Sequence, residues 1–395
     1  MSEPRSRWLA IAAIVFAGFA AAAQIGKVPA AMTTIAAEFD FPLAAAALVV
    51  SLASLLAATA GLAIGLGVAR IGVRRGLLAG LAMGGLAATL APLTQGALPL
   101  LAIRVAEGAG FLLVVVSAPS LVAVLAAPRD RSFAMGLWGC FMPGGIAIGL
   151  STAPVVEAAG WRAAWFVCAA MLSVALLLCW RVVPAVGAAT SGARAPLGRL
   201  LRDLIAARSP LRVTGAFGAY SVVYFGLAAF LPAYLESLGM GTGRAGAAAA
   251  LAALANLSGN LVAAALMRRG TAPERLLGFA APAMGGLAAA VFLIPLPLMA
   301  AGVALLASAI GGLVPAACFA LIPASVPRPD LVAPAVGLTI QGNNLMQLIA
   351  PPLLGALAGL GWALVAPPLL LAGCVAGAMG LVLAAGGLRS VEPSP

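Results

Sequence analysis

The sequence predicts an all-α membrane protein with twelve transmembrane helices in two pseudo-symmetric six-helix halves. Three observations predict it. Apolar runs of about 20 residues, the length a helix needs to cross ~30 Å of hydrocarbon, recur along the chain. One stretch, 184–212, is too polar and too broken by Pro and Gly to cross, and 183 residues lie on each side of it. The two sides also repeat. Gly136-Leu137 to Gly160-Trp161 aligns without a gap on Gly337-Leu338 to Gly361-Trp362, at a constant offset of 201. A parallel repeat of six spans accounts for all three.

Composition excludes much else. The chain is 63% hydrophobic and 8% charged, far from the range of soluble domains. No gap between spans exceeds the central one, so no soluble domain is expected, and the first span reads as a retained helix, not a cleaved signal. The net charge of +11 does not indicate nucleic acid, because the arginines sit in short loops and form no continuous face. With no histidine, His-based acid–base chemistry, Ser-His triads and most metal sites are excluded. Cys140, Cys168, Cys179, Cys318 and Cys374 show no CxxC pairing and read as small packing residues. No cofactor and no metal is expected.

Taken in order, the first half (1–183) holds spans at 8–30, 43–67, 76–94, 98–125, 132–157 and 162–183. Arg5 and Arg7 precede the first, Arg70, Arg74 and Arg75 follow the second, and Pro128-Arg129-Asp130 follows the fourth. The linker 184–212 carries Arg194, Arg199, Arg202, Arg208 and Arg212 against Asp203. The second half (213–395) holds spans at 213–236, 244–267, 275–296, 298–324, 332–358 and 362–386. Its loop Pro327-Arg328-Pro329-Asp330 matches Pro128-Arg129-Asp130, and Leu231-Pro232-Ala233 matches Val28-Pro29-Ala30. With both termini cytoplasmic, 18 of the 22 basic residues fall inside; only Arg162 and Arg244 fall outside, and Lys27 and Arg104 lie within spans. The opposite orientation inverts that bias, so the termini are assigned to the cytoplasm.

The loop after the second span reads Gly65-Leu-Gly-Val-Ala69-Arg70-Ile-Gly72-Val-Arg74-Arg75. Gly65 suits a close helix crossing, Gly72 a tight turn, and Arg70, Arg74 and Arg75 an anchor at the membrane face. An ordinary basic loop is the plainer account of the same residues. This spacing resembles the G-x3-D-R-x-G-x-R-R signature of the major facilitator superfamily, with Ala69 where the family has Asp. In the fourth span, Arg104-Val-Ala-Glu107-Gly108-Ala-Gly110 resembles the family's R-x-x-x-G-x-G element. Gly136 to Gly145 in the fifth span is similar to the Gly/Pro-rich fifth-helix motif of proton-coupled antiporters, with Pro143 placed to bend the helix. Met135-Gly-Leu-Trp-Gly139 resembles the cyanate- and nitroimidazole-transporter branch. The resemblance covers the chain and implies the major facilitator fold: two six-helix bundles with a cavity at their interface, worked by alternating access. It supplies no substrate.

Several residues stand out inside spans. Arg104 and Glu107 lie three apart on one helix face, and Glu107 is the only acid deep in a span, where an unpaired ion is costly. Glu107 is then either a proton acceptor tuned by Arg104 or half of a permanent ion pair. Lys27, the sole lysine, either holds a substrate anion beside Gln24 or snorkels to the outer interface, which lies ~28 Å of helix beyond Trp8. Tyr220 with Tyr224 and Asn256 with Asn260 are i,i+4 pairs, and Gln341, Asn343, Asn344 and Gln347 crowd the eleventh span. They are either helix-to-helix hydrogen bonds or cavity wall. Asp130-Arg131 and Arg328/Asp330 occupy equivalent loops and either pair as an inner latch or stay solvated.

These readings converge on a monomeric secondary transporter of the bacterial inner membrane, not an enzyme. Its expected partners are a small-molecule substrate, protons and the lipid bilayer, with no nucleic acid. No G-x4-G-K-[ST] loop is present, so ATP does not drive it directly. A small organic or inorganic anion is the leading substrate, motivated by Lys27 and Arg104 against one buried acid. Proton-antiport efflux of a hydrophobic drug or metabolite is the alternative, and a transport-inactive membrane receptor is the rival from another class.

Overall fold

A computed structural model describes residues 6–39, 43–185 and 196–386. Arg5, Arg194 and Arg389, counted above among the loop arginines, lie outside the described residues. The helices are α1 (Trp8–Glu38), α2 (Leu43–Ile71), α3 (Val73–Leu90), α4 (Ala97–Leu125), α5 (Arg131–Gly139), α6 (Phe141–Leu150), α7 (Ala153–Val182) and α8 (Leu197–Ala206). The remainder are α9 (Ser209–Ser237), α10 (Thr242–Arg268), α11 (Pro273–Val291), α12 (Pro297–Gly311), α13 (Leu313–Ser325), α14 (Val332–Leu360) and α15 (Ala366–Ala385). By length and hydropathy alone, nine segments among the described residues qualify as membrane spans.

Two predicted spans are broken, and prolines explain where. A proline lacks its own N–H and its ring collides with the carbonyl four residues earlier. Pro143 stands four after Gly139, where α5 ends, and Pro154 four after Leu150, where α6 ends. Pro315 stands four after Gly311, where α12 ends. The fifth span is therefore α5, α6 and the first turns of α7, and the tenth is α12 plus α13. Elsewhere prolines sit inside continuous helices, Pro119, Pro232 and Pro282 among them, as membrane helices tolerate when neighbours re-satisfy the freed carbonyl.

The sequence repeat reappears in the backbone. Gly160 interrupts α7 with φ 77° and ψ 167°, and its equivalent Gly361 precedes Trp362 with φ 154°. A Cβ at either would meet nothing within 4 Å. Conformation, not space, therefore requires glycine at both; a side chain in such a region costs on the order of 1–3 kcal/mol.

Two further differences from the expected boundaries appear. The first helix runs 31 residues to Glu38, past the predicted end at 30. The linker 184–212 contains α8, and α9 already begins at Ser209. Leu200 and Leu204 are buried at i,i+4 while Arg199 and Arg202 are exposed, so α8 is amphipathic in the ordinary way.

The chain forms two compact units. The first comprises 1–134, 141–203 and 329–341; the second comprises 135–140, 204–328 and 342–395. The sequence halves and the units thus differ by two short segments. Each segment carries a glycine from the repeat that admits a neighbouring backbone. Within the second unit a Cβ on Gly136 would lie 2.8 Å from the Ala264 Cα; within the first, one on Gly337 would lie 3.1 Å from the Gly65 Cα. Inside the first unit α1 packs on α6, α7 and α4, and α3 on α4 and α7. Inside the second, α11 packs on α15 and α12, and α10 on α12.

Candidate functional site

The closest helix crossing beside the charged residues is that of α1 with α6. A Cβ on Gly26 would lie 2.8 Å from the Ile146 Cα, and one on Gly149 would lie 2.7 Å from the Gly26 carbonyl carbon. Backbone therefore meets backbone, as small residues permit in membranes. The residue after Gly26 is Lys27, which this contact helps to fix against α4 and α7.

Lys27 is fully buried, so it does not snorkel. Its Nζ donates to Glu107 Oε1 at 2.8 Å and to Gln24 Oε1 at 2.5 Å. Arg104 Nη1 pairs with the other Glu107 oxygen and donates to the Gln24 carbonyl at 3.3 Å. The Gln24 amide donates in turn to the carbonyls of Ala20 and Cys168, both at 3.3 Å. Lys27 Nζ also lies 4.4 Å from the Trp165 ring centroid, a cation–π distance. The indole N–H of Trp165 is buried and has no hydrogen-bond partner among the described residues. Gln24, Arg104 and Glu107 are each at most 3% exposed. One carboxylate thus serves two cations, and the cluster carries a net +1 on almost fully buried side chains. Ions removed from water at this depth persist only where hydrogen bonds and opposite charge offset the desolvation cost. Sequence spacing pairs Arg104 with Glu107; it does not place Lys27 on the same carboxylate, 80 residues away, nor single out Trp165.

A second polar group, uncharged, lies in the second unit. Asn256 Nδ2 donates to the Tyr220 hydroxyl at 3.3 Å and to the Ser308 carbonyl at 3.1 Å. Asn260 Nδ2 donates to the Asn256 carbonyl at 3.1 Å, and the Tyr224 ring stacks on Tyr220 at 5.7 Å. Ser221 donates to Asn343 Oδ1, and Asn344 is buried beside it in sequence. Tyr224 and Ser308 line a cavity of about 20 Å³, room for about one water. Gln341 falls elsewhere: it accepts from Leu62 N at 3.0 Å, which ties α14 to α2 within the first unit. Gln341 is expected beside Asn344 as a substrate contact; here its carbonyl makes a helix-to-helix bond. Crowding along a sequence does not resolve which face of a helix each residue occupies.

The basic loop forms a tight junction. Gly72 begins α3 with φ 93°, and a Cβ on Gly65 would lie 2.7 Å from the Ala333 carbonyl oxygen within the first unit. Arg74 donates to the carbonyls of Val183 at 2.8 Å and Trp180 at 2.9 Å, capping the end of α7. Arg70 and Arg75 are exposed. Asp130 accepts from Ser6 at 2.5 Å and Arg131 donates to the Ala123 carbonyl at 3.0 Å, so both brace their own unit. Arg328 is exposed, and Asp330 lies half-buried in the turn Pro329–Leu331. At the far end of α1, Glu38 takes a two-pronged contact from Arg162 at 2.6 and 2.7 Å and a bond from Trp161 Nε1 at 2.6 Å. The Arg162 bond holds the Glu38 carboxyl below its ordinary range; partial burial opposes this and the Trp161 bond adds to it.

The fold is shared by solved transporters. The structure of the E. coli fucose:proton symporter FucP matches with TM-score 0.79 at 15% identity, covering 96% of this chain and 99% of that one. The proton:xylose symporter XylE bound to 6-bromo-6-deoxy-D-glucose matches with TM-score 0.68 at 15% identity, covering 98% and 95%. No curated protein matches the sequence. The model of the Major Facilitator Superfamily matches residues 14–351. The chain therefore belongs to the major facilitator superfamily, as a multi-pass membrane transporter and not an enzyme.

Proposed function

We propose that the protein moves a small anion together with a proton by alternating access. The observation that carries this reading is the buried cluster in which Lys27 and Arg104 share Glu107. With Glu107 ionised the cluster nets +1; with Glu107 protonated it nets +2, so proton and anion favour each other's binding. The unpartnered Trp165 N–H beside Lys27 is one more donor for such an anion. The likeness of Met135–Gly139 to the cyanate- and nitroimidazole-transporter branch agrees with a small substrate, and the two structural neighbours are named as proton symporters.

The titles of those neighbours name sugars, and the uncharged Tyr220, Asn256, Asn260 and Asn344 group favours a second reading, a neutral hydroxylated solute coupled to the same proton site. Lys27→Gln separates the two. For an anion its loss weakens binding by about 1–3 kcal/mol, the worth of a charge-assisted hydrogen bond. The measurement is a ligand panel scored by thermal shift, followed by affinity of the best ligand in both proteins. Equal affinities remove the anion reading. Counterflow in proteoliposomes, absent for a receptor and pH-opposed for an antiporter, tests transport itself.

The orientation belongs to the same proposal. The excess of basic residues in alternate loops puts both termini in the cytoplasm of a bacterial inner-membrane protein. A reporter fused after Arg389 is expected to show cytoplasmic activity; periplasmic activity inverts the assignment.

A further inference from the structure

Away from the charged cluster, the second unit carries a groove of about 380 Å³ whose walls are α11 on one side and the α12–α13 junction on the other. Arg275, Phe279 and Ala283 line it and recur every four residues of α11, which puts them on one helix face, and Thr271 lines it from the turn just before that helix. The lining passes from polar to apolar: a hydroxyl in the turn before α11 and a guanidinium in its first turn, then an aromatic ring and a methyl further along the helix. Ile310 and Leu313 form the opposite apolar wall. Phe279 is 73% exposed and Ala283 is exposed. In a membrane protein such side chains face hydrocarbon, so lipid, not water, reaches this groove.

The polar end is positively charged. Arg275 is exposed, and the exposed Arg268 and Arg269 stand at the loop that leads into α11, against one acid, Glu274. A ligand that fits carries a negative head and a hydrocarbon chain on one molecule. We propose that this groove binds an anionic phospholipid, with its phosphate at Arg275 and Thr271 and an acyl chain along Phe279 and Ala283. Under the orientation proposed above this is the cytoplasmic leaflet, where basic side chains meet anionic headgroups. The site is independent of the transport reading, since none of its residues belongs to the charged cluster or the basic loop motif.

The test uses the full chain purified in detergent and native mass spectrometry with phosphatidylglycerol or phosphatidylcholine of identical acyl chains. Phosphatidylglycerol should remain bound under conditions that strip phosphatidylcholine. Arg275→Gln should cut its retention about fivefold, the worth of one arginine near a membrane surface. Ala283→Phe should cut it as well by filling the apolar end, while leaving every arginine in place. Both positions are exposed, so folding is expected to survive and is checked by elution profile. Equal retention of the two lipids, or either variant binding as the wild type does, overturns the proposal. Displacement by glycerol phosphate at the lipid's own concentration also overturns it, because that result describes a site for the headgroup alone.

Discussion

Glu107→Gln is expected to abolish accumulation driven by a pH gradient while leaving counterflow partly intact. Glu107 accepts from Lys27 at 2.8 Å and pairs with Arg104 through its other oxygen. An amide keeps the shape of the carboxylate but cannot take up a proton, and its NH₂ group faces a cation. The variant should also lose stability, because removing one partner of a buried ion pair costs roughly 3–5 kcal/mol. A second substitution keeps the two effects apart. Lys27→Gln together with Glu107→Gln returns the cluster to its original net +1 and should recover much of the lost stability, yet still fail to couple to pH. Thermal melting and transport in proteoliposomes read the two quantities. Persisting pH-driven uptake in Glu107→Gln would take the proton away from this residue. A double variant as unstable as the single one would show that the pair is not what the fold depends on.

Gly149→Ala is the second large effect. The added methyl would sit 2.5 Å from Lys27 N and 2.7 Å from the Gly26 carbonyl carbon. Those neighbours are backbone, which cannot swing aside as a side chain does, so α6 and α1 must separate. Overpacking of this kind costs up to about 3 kcal/mol. Lys27 moves with α1, and a displacement of 1 Å is enough to weaken its bonds to Gln24 and Glu107, so transport should fall with stability. Gly302→Ala is the matched control. A Cβ there meets nothing within 4 Å, and alanine in an exposed helix interior gains roughly 0.5–1 kcal/mol over glycine. If Gly149→Ala melts with the wild type, the α1–α6 contact is looser than the backbone distances imply.

Much of the architecture is legible in the amino-acid sequence. Hydropathy adds up residue by residue, so local composition marks the apolar segments, nine of which qualify as spans among the described residues, and the loop from Gly65 to Arg75 pointed to the family that the family model independently matches. The helix breaks at Gly139, Leu150 and Gly311 were also legible in principle, since each lies four residues before a proline and the collision is local. The amphipathic α8 was missed because a basic, Gly- and Pro-containing stretch reads as a loop until Leu200 and Leu204 are taken at helical spacing. The ion cluster was only half legible. Arg104 and Glu107 share a helix, and their spacing alone puts them within reach. Lys27 reaches the same carboxylate only because Gly26 and Gly149 let α1 and α6 touch, and no count along one helix contains that information. The same holds for Gln341, whose amide was spent on α2, and for Ser221, which proved to be the partner of Asn343. Sequence by itself determined which segments are apolar enough to favour a membrane, because transfer from water to hydrocarbon is a sum over local groups. Only the tertiary structure decided which buried charges and amides meet, because those energies depend on distances of a few ångströms between helices far apart in the chain.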